Sequence, residues 1–307
     1  MPRVRSQQQG NVGVSRPGLR AAILAALMTV LAACGNGAHD AAESGASPSS
    51  PALPSSTHEK GDRGAPMGYY VSMPDDYMPD GSTPALIALH GCCQMDEPDV
   101  SVLTREPVPN AAQAGIVGLD EMAIFAPQHV TVADPESWNK WCPDAPDSSC
   151  GFQLQHDHGD DLQDPPCTTP DEVHDFIDFA VREYRVDPNR VYLTGLSCGG
   201  WTTFEYLAKY GAEQIAAAVP ISGDGRPALA DAGCRLASVP IWAFHGEMDD
   251  VVPLAGSRVA IEQLRGCPDH PELEFTVYPQ ANHDAWLEAY RDPALWHWLL
   301  QQQRSAG

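Results

Sequence analysis

The chain has 307 residues, with 41 Asp and Glu against 18 Lys and Arg and a formal charge of -23. A surface this acidic repels phosphate backbones and anionic lipid heads, which argues against nucleic acid as a partner. Beyond that exclusion the charge says little about what the protein binds.

Residues 1–33 carry Arg3, Arg5, Arg16 and Arg20 and no acidic residue, and end in the apolar run "AAILAALMTVLAA" (21–33). That run is too short to span a bilayer as a helix and reads as an export signal. It closes on "LAAC" (31–34), where small residues admit a peptidase and Cys34 offers a thiol. This resembles a bacterial lipoprotein signal, which implies lipidation of Cys34 and attachment to a membrane through an N-terminal lipid anchor; an ordinary cleaved signal is the alternative. Several acyl chains on one residue anchor a protein where a single chain is marginal. Residues 34–66 are rich in Gly, Ala, Ser and Pro, hold little that a core could bury, and are expected to be a disordered tether. Residues 67–307 suffice for one α/β domain.

Strands are predicted over 68–74, 84–90, 122–128, 190–195, 215–222, 239–246 and 273–279, where β-branched and aromatic residues cluster. Helices are predicted over 171–184, 200–210, 256–265 and 293–303. Strands alternating with helices imply a mostly parallel central sheet covered on both faces. The stretch 129–170 breaks this rhythm with Asp, Pro and three cysteines, and reads as a long insertion beside the binding edge of the sheet.

Apart from Cys34 there are eight cysteines, at 92, 93, 142, 150, 167, 198, 234 and 267. An even number in an exported chain suggests disulfides, with "CPDAPDSSC" (142–150) able to close on itself. No pair has C-x-x-C spacing, so zinc is not expected. "HDHGDD" (156–161) contains ligand-type side chains, but an acidic loop in an acidic protein needs no metal, and none is assigned. Trp138 and Trp141 in the same insertion could form a platform for a sugar or aromatic ring, or cover a small core of their own.

"GLSCGGW" (195–201) lies between a predicted strand and a predicted helix. Gly195, Ser197 and Gly199 fit G-x-S-x-G, in which a serine is held on a sharp turn with small residues beside it. A serine hydroxyl needs a base to take its proton and a carboxylate to hold that base. Asp249, after the strand 239–246, and His283, after the strand 273–279, follow in the order Ser, Asp, His. All three fall on loops past the carboxyl ends of strands. Any one of them could be an ordinary surface or capping residue; their order and placement together argue against that. The oxyanion is expected to be held by the backbone N–H groups of Cys198 and of Cys92, the latter in "HGCCQ" (90–94).

"ALIALHGCCQ", "SWNKW" (137–141), "VDPNRVYLTGLSCGG", "HGEMDDVVP" and "YPQANHDAW" together resemble the polyhydroxybutyrate depolymerase-like esterases, relatives of feruloyl and acetylxylan esterases, over roughly residues 67–300. The resemblance implies the α/β-hydrolase fold and a secreted serine esterase without a cofactor. It also implies Ser197 as nucleophile, Asp249 as acid and His283 as base. Cys93 and Asn282 depart from it, since glycine is usual at both places. Cys198 is expected either to form a disulfide, with Cys92, Cys93 or a distant cysteine, or to pack as a buried thiol. Residues 67–307 leave no room for an added polymer-binding module, so short or soluble esters are the expected substrates. A peptidase of the same fold, or a degenerate hydrolase acting as a surface binding protein, are the competing readings.

Overall fold

The computed structural model describes residues 54–91, 99–129 and 167–304. Cys34, Cys92, Cys93, Trp138, Trp141, Cys142, Cys150 and the 156–161 segment lie outside the described residues, as do the expected signal and most of the expected tether.

Eight strands form one sheet in the order β1-β2-β4-β3-β5-β6-β7-β8. They are β1 (Ser55–His58), β2 (Gly68–Ser72), β3 (Ala85–Leu89), β4 (Ala123–Gln128), β5 (Val191–Leu196), β6 (Ala217–Ile221), β7 (Ile241–Gly246) and β8 (Leu273–Tyr278). β1 and β2 pair antiparallel at one edge, and the ladder from β4 through β3 to β8 is parallel throughout. This is the mostly parallel sheet expected from the alternating pattern, and it agrees with the α/β-hydrolase fold that the resemblance implies.

The central strands are continuous apolar runs because both faces of the sheet are covered. Alternate residues enter different cores: Val191 and Leu193 of β5 join one cluster, Tyr192 and Leu196 the other. The first cluster is closed by α2 (Pro170–Tyr184), α3 (Cys198–Tyr210), α4 (Arg226–Ala232) and α5 (Ala255–Leu264). The second is closed by α1 (Pro107–Gln113), α6 (Trp286–Ala289) and α7 (Pro293–Leu300). α2 shows why such helices form. Val173, Phe176, Ile177, Ala180 and Tyr184 recur on one buried face, and Pro170 opens the helix. Thr169 and Glu172 cap one another's backbone N–H groups, which satisfies two donors the helix cannot.

The end of the expected tether belongs to the sheet. Ser55–His58 pairs residue for residue with Tyr69–Ser72, and the His58 ring stacks on Tyr69 at 4.8 Å. "SSTH" offers no apolar alternation because an edge strand can be held by its backbone alone. Residues 55–58, counted within the expected tether, are thus a strand of the sheet.

Candidate active site

The loops that leave the carboxyl ends of β5, β7 and β8 carry Ser197, Asp249 and His283, and the fold brings the three side chains together. Ser197 Oγ lies 2.8 Å from His283 Nε2, and His283 Nδ1 lies 2.9 and 3.1 Å from the two oxygens of Asp249. A carboxylate only accepts, so the neutral ring carries its proton on Nδ1 and turns the Nε2 lone pair toward the serine hydroxyl. His283 keeps 18% of its side-chain surface, whereas the Asp249 side chain has none.

Ser197 has φ 53° and ψ -116°, a backbone conformation that costs a residue with a side chain about 1–3 kcal/mol. The turn is held from several sides. Ser197 N–H donates to the Ile221 carbonyl at 2.9 Å, and the Ser197 carbonyl accepts from Trp201 N–H at 2.9 Å. A Cβ on Gly195 would stand 2.2 Å from the Gly199 carbonyl oxygen, and one on Gly199 would stand 2.6 Å from that of Leu89. The motif thus needs glycine at both places because α3 starts against the ends of its neighbouring strands.

Burial on its own would raise the pKa of Asp249. Hydrogen bonds from His245, His283 and the Val252 N–H outweigh it and hold the carboxyl well below the usual range. Val251 N–H also donates to Oδ1, at 3.0 Å. Asp249 is therefore ionised throughout the neutral range. The other buried acid near this edge, Asp224, is held by the Arg226 guanidinium and backbone N–H at 2.5 to 3.2 Å, and is not the partner of His283.

Asn282, the departure beside the histidine, joins two of the loops, since its Oδ1 accepts from Asp250 N–H at 3.1 Å. Its backbone also crowds β7, because a Cβ on Gly246 would stand 2.0 Å from the Asn282 carbonyl oxygen. Trp286 meets the His283 ring edge-on at 5.1 Å. Met248, on the loop after β7, and Leu287, in α6, are large apolar side chains that are 57% and 42% exposed.

Cys198 opens α3, so its N–H stands at the positive end of that helix dipole, directly after Ser197. Cys92, the second expected oxyanion donor, lies outside the described residues, but the loop leading to it is anchored. Burial pushes His90 down to about 4, so its ring is neutral; Nδ1 donates to the Gly91 carbonyl at 2.6 Å and Nε2 accepts from His129 N–H at 3.0 Å.

Cys198 is bonded to a distant cysteine, Cys167, with Cα atoms 5.3 Å apart. Cys234 and Cys267 form a second disulfide. The first fastens the start of α3 to the residues that cap α2. Closing a loop of this length stabilises by about 3–4 kcal/mol on the chain-entropy account. Cys167→Ser is expected to lower unfolding free energy by roughly that amount in a denaturant titration. An unchanged midpoint would show that the bond constrains nothing that the packing of α2 on α3 does not already fix.

Comparison with known proteins finds similarity to esterases. A bifunctional acetylxylan esterase/xylanase of Neocallimastix patriciarum is 32% identical over 118 residues, 38% of this chain and 17% of that protein. Feruloyl esterase B of Piromyces equi is 36% identical over 104 residues, 32% of this chain and 19% of that protein. The alignments thus span under a fifth of either relative. A thermostable esterase of known crystal structure shares the fold with a TM-score of 0.58 at 25% identity, over 82% of this chain and 64% of that one. Residues 160–294, the stretch carrying Ser197, Asp249 and His283, match the model of the dienelactone hydrolase family.

Proposed function

We propose that the protein is a serine esterase that cleaves carboxylic esters through an acyl-enzyme at Ser197. The observation that carries this reading is the 2.8 Å contact between Ser197 Oγ and a His283 ring whose tautomer is set by Asp249. Ser197 Oγ attacks the ester carbonyl carbon while its proton passes to His283 Nε2, and Asp249 stabilises the imidazolium. The oxyanion receives the N–H of Cys198 and that of Cys92. When the intermediate collapses, His283 gives its proton to the departing alcohol. Water then attacks the acyl carbonyl with His283 again as base, and Ser197 is regenerated. The residues require no cofactor.

Two relatives named as acetylxylan and feruloyl esterases support esters over amides. We place the enzyme outside the cytoplasm, anchored through lipid on Cys34, a reading supported by the two disulfides and the N-terminal motif.

The test is labelling of folded protein with a fluorophosphonate, joined to a substrate panel. The panel holds p-nitrophenyl esters of graded acyl length, methyl ferulate, acetylated xylan, hydroxybutyrate oligomers and peptide p-nitroanilides. Labelling at Ser197 with ester turnover well above anilide turnover is expected. Failure to label would favour a binding protein, and faster anilide cleavage would favour a peptidase.

A further inference from the structure

Asp249 is held by two imidazoles. The second belongs to His245, the penultimate residue of β7, whose side chain is wholly buried. His245 Nε2 lies 2.9 Å from the Val252 carbonyl oxygen and 3.2 Å from Asp249 Oδ2. Both of those atoms only accept, so Nε2 carries a proton and donates it. Nδ1 lies 2.9 Å from Ser257 Oγ, and that hydroxyl reaches the Gly223 carbonyl at 2.9 Å. The ring is therefore clamped between β7, the loop that bears Asp249, and the first turn of α5. Asp249 Oδ2 accepts from His283 and lies 3.2 Å from His245 Nε2, while Oδ1 accepts from the Val251 and Val252 N–H groups and, at 3.1 Å, from His283.

We infer that His245 is a positioning residue of this site, which fixes the Asp249 carboxylate and shares its Oδ2 with His283. This rests on Ser197, His283 and Asp249 being the reacting set. An unclamped carboxylate could rotate, and Nδ1 of His283 would then lose the acceptor that sets its tautomer. Among the described residues the titratable groups facing Asp249 are His245 from β7 and His283 from the loop after β8. His245 faces Asp249 and the non-titrating oxygens of Val252 and Ser257.

His245→Leu removes the donor at similar bulk, and His245→Gln returns an amide N–H near the place of Nε2. With p-nitrophenyl butyrate, His245→Leu is expected to lose about 10- to 100-fold in kcat, as removal of a supporting hydrogen bond does elsewhere, with KM little changed. The acidic limb of kcat/KM is expected to move to lower pH, because a carboxylate free to turn away from Nδ1 stabilises the imidazolium less. His245→Gln is expected to restore most of both. A merely structural role would lower the active fraction without moving that limb. Wild-type protein with 15N-labelled histidine supplies a readout that depends on no variant: the His245 Nε2 resonance should be that of a protonated nitrogen. An unprotonated Nε2, or a folded His245→Leu with wild-type kcat and acidic limb, would overturn the inference. If His245→Leu does not fold, the glutamine variant and the wild-type spectrum decide. If wild type neither labels with fluorophosphonate nor cleaves esters, it is the esterase reading that fails, and the spectrum still reports whether His245 holds Asp249.

Discussion

Ser197→Ala is expected to lower kcat on an activated ester by about a millionfold, and His283→Ala by nearly as much, with the double variant scarcely worse than either. The serine supplies the attacking atom and the histidine the means of making it attack, so removing either one leaves nothing for the other to do. A residual rate of about 10^3 to 10^4 over water should persist from substrate binding and oxyanion stabilisation. Stability should be nearly unchanged in Ser197→Ala. Alanine keeps a side chain at φ 53°, and the hydroxyl's partner, His283, retains solvent exposure that can satisfy its nitrogen. Initial rates for the two single variants and the double variant, with the folded fraction measured alongside, test this. Losses that multiply, or a Ser197→Ala rate within about tenfold of wild type, would show that the two residues do not act as one unit.

Much of the fold was legible in the sequence because its signals are strong where burial is complete. "VYLTGL" of β5 is buried at all six positions, and α2 repeats its apolar residues over several turns. The meeting of Ser197, Asp249 and His283 was legible for the same reason: strand ends can be located, so the residues just past them can be assigned to one edge. α1, α4 and α6 have seven, seven and four residues. Helices so short give too few turns for an apolar period to show. β1 is an edge strand of polar residues held by its backbone, a pairing that leaves no mark in composition.

Within the site, the role of His245 was hidden by its setting. "VPIWAFHG" reads as a buried strand, and a histidine at its end looks like any core polar residue until the neighbouring loop is seen to fold back on it. The partner of Cys198 was open for a different reason. Cys167 is 31 residues away, and the two meet only because α2 and α3 start side by side. Asn282 shows the opposite case. It departs from the pattern of the resembling esterases, and the structure gives the side chain a structural use in holding the Asp249 loop against the His283 loop.

Asp249→Asn is expected to cost about 10^4 in kcat with little change in KM, because it reverses one hydrogen-bond polarity without changing volume. The amide oxygen of asparagine is needed at Oδ1, where the Val251 and Val252 N–H groups point. Its NH2 group then occupies the place of Oδ2, facing His245 Nε2 and His283 Nδ1, which both donate in the wild type. His245 cannot give up its Nε2 proton without setting a lone pair against the Val252 carbonyl. The mismatch therefore falls on His283, which relieves it by moving its proton to Nε2, and that nitrogen can then no longer accept from Ser197. Leaving one donor opposed by another in a buried setting should also reduce stability by about 1–3 kcal/mol. Kinetics at neutral pH, paired with a denaturant titration, would test both effects. A kcat within about tenfold of wild type would mean that some other acceptor fixes the His283 tautomer, and that the buried carboxylate is structural instead of part of the reaction.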